Sequence, residues 1–181
     1  ADADDDQKEA YFLRLQLLVT KYGTECLRKV FDIDFPPADL KQDLQNHTSL
    51  LMKLRKKHIL KTRQHRLLFP PNGPPLSTRF DITLIVTLLR NITTTFKAPK
   101  RQPKLWDEDD NNKITGNDAV SDIVRIRNIR NEVGILPHVY WNVQGKRLHN
   151  TNSATIITII IIIRTPPFIP YLKEVCKATA R

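Results

Sequence analysis

Apolar side chains recur at the spacing of amphipathic helices along most of residues 8–134, and this pattern favours a helical fold for that part of the chain. Leu17, Leu27 and Phe31 belong to one such run, which predicts a helix over about residues 8–31. Further helices are predicted over about 37–60 (with a break near 46–49), 62–68, 80–92 and 118–133. The apolar run at 80–92 would also suit a buried strand, but its length and its helical neighbours favour a helix.

Three segments depart from this pattern. Residues 1–7 are predicted to form an acidic leader, and residues 97–117 a polar loop. Asn117 or Asp118 is predicted to cap the last helix. Four prolines interrupt residues 135–181, which predict a divergent tail outside a helical domain of residues 8–134. The isoleucine-rich run in this tail predicts a strand or a disordered segment, and it is too short to span a membrane as a helix.

Positive charge is concentrated in the middle of the chain. Residues 41–104 contain fourteen Lys and Arg but only two Asp, whereas the whole chain has a net charge of +10. Such a concentration of positive charge favours a polyanion such as RNA, or an acidic membrane or protein surface. A solvated helix face would have the same composition. The side chains predicted to contact RNA are Lys53, Arg55, Lys56, Lys57, Lys61, Arg63 and Arg66.

Cysteine and histidine spacing predicts neither a metal site nor a cofactor. The only two cysteines, Cys26 and Cys176, are far apart in sequence, and His47, His58 and His65 lack the spacing of metal ligands. Few cysteines and the absence of a signal pattern predict a cytoplasmic protein. Four acidic residues at 107–110 could bind a divalent cation, but such runs are more typical of solvated loops.

A cluster of planar donors is predicted on the last helix. Arg127 lies three and four positions before Arg130 and Asn131, so the three side chains would share one helix face. Two guanidinium groups and an amide suit a phosphate or a nucleic-acid backbone. The alternative is an exposed basic face on which Arg130 and Glu132 form local ion pairs.

Three sequence blocks stand in a characteristic order: FPPNGPP at 69–75, FDITL at 80–84 and RNEV at 130–133. In this order they resemble the HEPN domain, in the subtype found in the DAZ-interacting zinc-finger (RNA-binding) ubiquitin ligase family. The resemblance implies an all-α bundle of four to five helices that pairs as a homodimer. It also implies RNA as a partner.

The resemblance further implies a metal-independent ribonuclease site in catalytic members of the family. There an Arg holds the phosphate, a His transfers protons and an Asn orients the pair. Carried onto this chain, the Arg is Arg130, the Asn is Asn131 and the His is His138, which lies one position beyond the longest usual gap. Pro137 is also expected to disrupt the helix before that histidine.

The predicted function is therefore an RNA-associated HEPN module that binds or dimerises without catalysis. Two alternatives stay open. One is a protein-interaction or oligomerisation scaffold in signalling or innate defence. The other is an active metal-independent endoribonuclease.

Overall fold

The computed structural model describes Leu13 and residues 16–142, with only the backbone described for 135–142. The predicted acidic leader, most of the tail and the isoleucine run lie outside the described residues. In the described part, six α-helices form an all-α fold without strands, which confirms the predicted fold class. The helices are α1 (Thr24–Asp34), α2 (Leu40–Asn46), α3 (Thr48–Lys56), α4 (Thr62–Leu68), α5 (Ile82–Ile92) and α6 (Ala119–Asn142).

Shorter helical segments complete the described part. A π-helical segment, Leu18–Gly23, leads directly into α1, and three 3-10 turns lie at Ser77–Arg79, Leu105–Asp107 and Asn111–Lys113. The predicted break in 37–60 is present, because α2 and α3 meet at His47. None of the described helices is both long enough and apolar enough to cross a lipid bilayer.

The last helix differs from its prediction. It was expected to end at residue 133, yet α6 continues through Gly134 and Pro137 to Asn142. The expectation that Pro137 disrupts the helix is therefore wrong. Proline removes one backbone donor and crowds the preceding turn, but a helix can continue across it when its other hydrogen bonds persist.

The core lies among α1, α5 and α6. Helix α1 packs on α5, α5 packs on α6, and the π-helical segment packs against both α1 and α6. Leu27, Phe31, Leu88 and Val124 are completely buried there. Burying a side chain of this size contributes about 1.5–3 kcal/mol, so this three-helix contact contributes substantially to stability.

Helices α2, α3 and α4 form a series in which each packs on the next. Leu44 and Leu51 are fully buried, so the apolar face of each of these short helices points inward. The opposite, polar face of α3 and α4 lies in water. This arrangement places the most basic part of the sequence on the surface.

Aspartate side chains cap the N-termini of the core helices α5 and α6. Asp81 accepts a hydrogen bond from the Leu84 backbone N–H at 2.7 Å, before α5. Asp118 accepts one from the Ser121 N–H at 3.1 Å, which is the N-cap that the sequence predicts for α6. Each cap satisfies an N–H that has no partner within its own helix.

Candidate nucleic-acid interface

The predicted cluster of Arg127, Arg130 and Asn131 divides into two parts with different surroundings. The guanidinium of Arg127 turns towards the loop before α6 and donates to the backbone carbonyls of Trp106 and Glu108. It also donates to the side chain of Asn128, and only 18% of the Arg127 side chain is exposed. These contacts use most of its donors within the protein. The structure therefore gives Arg127 a role in holding the loop.

Arg125 is a second arginine of this motif with a structural role. Its guanidinium donates to the carbonyls of Ile114 and Gly116, at 2.8 and 2.7 Å. It also forms a 3.0 Å ion pair with the carboxylate of Asp122, which lies one turn earlier on α6. Arg125 thus fastens the end of the polar loop to the first turns of the helix.

Arg130 and Asn131 face a different environment. Arg130 donates a hydrogen bond to the Asn131 side chain at 3.1 Å, and Asn131 is exposed. Among the described residues, no carboxylate forms an ion pair with Arg130. Of the three arginines in this motif, Arg130 keeps the guanidinium that is best placed to meet an anion from solution.

His138 lies in α6, eight positions beyond Arg130. On a regular helix this spacing separates the two backbones by about 12 Å along the axis and about 80° around it. A histidine four positions beyond Arg130 would lie only about 6 Å along the axis and about 40° around it. Helix geometry therefore does not by itself bring His138 beside the Arg130–Asn131 pair.

The acidic run at 107–110 is occupied by ion pairs. Asp107 binds Arg90 at 2.7 Å, Asp109 binds Arg127 at 3.4 Å and Asp110 lies 3.7 Å from Lys113. Within the described part of the chain, no group of three or more His, Cys, Asp or Glu side chains is placed to hold a metal ion. The run instead ties its loop to α5 and α6.

Trp106, which precedes this run, anchors the loop to the same two helices. Its side chain is 7% exposed, so it packs in the core. Its carbonyl accepts hydrogen bonds from Arg90 of α5 and from Arg127 of α6. One peptide group therefore bridges the two helices.

The seven cations predicted to contact RNA lie on α3, on α4 and on the turn between them. We call them the basic surface: Lys53, Arg55, Lys56, Lys57, Lys61, Arg63 and Arg66. Six are exposed and Arg55 is half-buried. None forms an ion pair with another described residue, and the sequence contains no Asp or Glu between Asp43 and Asp81. Their charge is thus directed into solvent without local compensation.

His65 lies on α4, between Arg63 and Arg66 of the basic surface. Burial, and to a smaller extent the positive charge of Arg55, lower the pKa of His65. The His65 ring also packs against Phe69, with 5.0 Å between ring centroids. Because α3 and α4 pack on each other, their cations lie on neighbouring elements.

The turn between α3 and α4 has an unusual backbone conformation at His58. The N–H of His58 donates to the Arg55 carbonyl and the N–H of Ile59 donates to the Leu54 carbonyl, both at 3.0 Å. This pair of bonds is a Schellman motif, in which a left-handed residue, usually glycine, follows the helix. Here that residue is His58, with φ of 58°. A left-handed side-chain residue costs about 1 kcal/mol relative to glycine. The sequence gives no clear signal of this left-handed conformation, because a histidine stands where such a helix end usually has glycine.

Asp122 provides a test of the buried contacts of Arg125. The Asp122 carboxyl group is 3% exposed, and burial raises its pKa to about 6 despite the attraction of Arg125. Because the pKa is higher in the folded chain than the usual 3.8, protonation of Asp122 favours folding. Its contribution to the free energy of unfolding is therefore greatest below pH of about 4 and is lost as the pH rises through about 6.

Substitution of Asp122 by asparagine should remove this pH dependence. Between about pH 4 and 7, the free energy of unfolding of the wild type should fall by on the order of 2 kcal/mol relative to that of Asp122→Asn. Urea unfolding of both proteins across this range measures the difference. A constant difference at all pH values would contradict the raised pKa.

Comparison with known families identifies the chain. Residues 37–156 match the family model described as DZIP3/hRUL138-like HEPN. The chain belongs to this HEPN family. The resemblance predicted from the sequence is confirmed. The matched range extends beyond Gly134, into the segment predicted to be a divergent tail.

Two curated relatives also match this HEPN chain. The human E3 ubiquitin-protein ligase DZIP3 is 35% identical over 96 residues, which cover 50% of this chain and 8% of the ligase. The mouse E3 ubiquitin-protein ligase DZIP3 is 35% identical over 102 residues, which cover 54% of this chain and 8% of the ligase. The HEPN chain thus spans a small part of the length of these relatives. No solved structure matches it.

Proposed function

We propose that this HEPN domain binds RNA through the basic surface and does not cleave it. The observation that carries the proposal is a set of seven cations, on two neighbouring helices, that have no ion-pair partner among the described residues. Cations of this kind bind phosphates and release counterions, so the affinity should depend strongly on salt. Arg130 and Asn131 supply a further phosphate contact.

The position of His138 supports binding without cleavage. Proton transfer requires the acid or base to reach the scissile group within hydrogen-bond distance. The backbone of His138 is two turns of α6 away from Arg130, and Arg127 is engaged by the loop. An endoribonuclease would need another group to take the place of the histidine.

A scaffold that self-associates is the second candidate function. Leu13 and Leu17 lie four positions apart in sequence and are 55% and 60% exposed. Exposed apolar side chains so close in sequence could be covered by a second copy of the domain. A homodimer is compatible with RNA binding, because the basic surface lies on α3, on α4 and on the turn between them.

The proposal predicts a large effect of charge reversal at two lysines. Lys57→Glu combined with Lys61→Glu should weaken binding of a labelled single-stranded RNA at least about tenfold at moderate salt. The slope of log affinity against log salt should become shallower by about 1.4, since each single-strand phosphate contact contributes about 0.7. Fluorescence anisotropy at several salt concentrations measures both quantities.

The matched control is Lys29→Glu combined with Lys41→Glu. Both residues are exposed and lie on α1 and α2, and the change in net charge is the same. Equal losses in the two double variants would show that only net charge matters and would contradict a defined site.

The cleavage assay uses the same wild-type samples incubated in EDTA, and the RNA should stay intact. Cleavage that requires Arg130 would instead establish the endoribonuclease. Self-association without RNA affinity would support the scaffold.

A further inference from the structure

We infer that the turn formed by Lys57, His58 and Ile59 contacts bases and that the preferred ligand of the basic surface is single-stranded RNA. This inference rests on the proposed function, because it names the form of RNA that the same surface takes. It depends on three features of the turn: its backbone conformation, its exposure and its position between the cations of α3 and α4.

The backbone of the turn favours glycine, yet the residue there carries an imidazole ring. His58 has φ of 58° and its N–H closes the end of α3 on the Arg55 carbonyl. Glycine would hold the same conformation without steric cost. The folded structure therefore tolerates strain at a position whose side chain forms no hydrogen bond or ring contact with another described residue. Strain at an exposed position points to a role for that side chain in binding.

The turn presents two surfaces that suit a base. His58 is exposed, and Ile59 is 50% exposed although it is a large apolar side chain. A base can stack on an imidazole ring or lie against an aliphatic side chain. In a duplex the faces of the bases are covered by their neighbours, so such contacts are available only with unpaired nucleotides.

The neighbouring cations position the strand for these contacts. Lys57 lies immediately before His58, and Lys61 lies three residues after it; both are exposed. Phosphates held on the two sides would bring the intervening base to the turn. Sequence-tolerant single-strand binding combines a basic track with a stacking ring in this way.

The test is His58→Gly, which removes the ring but suits the backbone. The variant should melt at or above the temperature of the wild type, because glycine relieves the left-handed strain. Its affinity for an unstructured single strand of alternating C and A should fall about tenfold, the loss typical of one stacked base. Its affinity for the same strand annealed to its complement should stay unchanged.

His58→Tyr is the companion variant, because it keeps an aromatic ring on which a base can stack at the position where His58→Gly has none. It should recover most of the single-strand affinity that His58→Gly loses. Equal single-strand affinity in wild type and His58→Gly would overturn the inference. If in that case the Lys57/Lys61 double variant nevertheless lost RNA binding, the proposed function would stand without the inference about the turn. If neither variant changed RNA binding, both the inference and the proposed function would fail.

Discussion

Replacing Arg127 with alanine should lower the free energy of unfolding by about 3–4 kcal/mol, a large part of the stability of a domain this size. The substitution removes hydrogen bonds to the carbonyls of Trp106 and Glu108 and to the side chain of Asn128. A bond from a charged donor contributes about 1.5–3 kcal/mol, and the carbonyls left behind are partly buried. Urea unfolding followed by circular dichroism measures the loss.

Arg130→Ala is the matched control, since both substitutions remove an arginine from the same helix. The only side-chain hydrogen bond that Arg130 donates to a described residue goes to the exposed side chain of its neighbour Asn131. Its removal should change the free energy of unfolding by no more than about 0.5 kcal/mol. Arg130→Ala should instead weaken RNA binding. Similar stability losses in the two variants would contradict the division of this motif into Arg127, which holds the loop, and Arg130, which does not.

Gly116→Ala should lower the free energy of unfolding by about 3 kcal/mol. A Cβ atom at this position would overlap the Oγ of Ser121 and lie 2.5 Å from the Oδ2 of Asp118. Both groups are short side chains in the cap of α6, and Ser121 is completely buried. They cannot move without losing cap hydrogen bonds, which contribute about 1 kcal/mol, and without straining the packing around them. Thermal unfolding should show a clear decrease in Tm.

The opposite result is expected for the same substitution in the middle of α6. A Cβ atom on Gly134 would meet no other atom within 4 Å. Alanine is favoured over glycine inside a helix, so Gly134→Ala should raise stability by about 0.5–1 kcal/mol. A loss of stability at Gly134 would mean that the helix does not continue through this residue, and it would contradict the extent of α6.

The helices could be predicted from the sequence because their apolar spacing is a local property. The helix at 62–68, the break near 46–49 and the cap at Asp118 all follow from neighbouring residues. The continuation of α6 through Pro137 could not be predicted in this way. A proline lowers the preference for a helix, but the remaining hydrogen bonds and the packing of the helix decide whether it continues.

The candidate site was only partly accessible to sequence reasoning. The basic surface could be predicted, because charges on short polar faces are exposed in almost any helical fold. The role of Arg127 could not, since its partners Trp106 and Glu108 lie about twenty residues earlier, in a loop without periodicity. A helical pattern shows which residues are neighbours on one helix and gives no information about partners elsewhere. The left-handed conformation of His58 was equally inaccessible, because a histidine carries no clear signal for it.

The carbonyl of Trp106 accepts hydrogen bonds from Arg90 on α5 and from Arg127 on α6, while the Trp106 ring fills the core. Displacement of this one residue would deprive both helices of an anchor in the same event. The amide protons of α5 and α6 should therefore become accessible to exchange together, at one common free energy of opening. The loop thus makes α5 and α6, which are distant in sequence, open as a single cooperative unit.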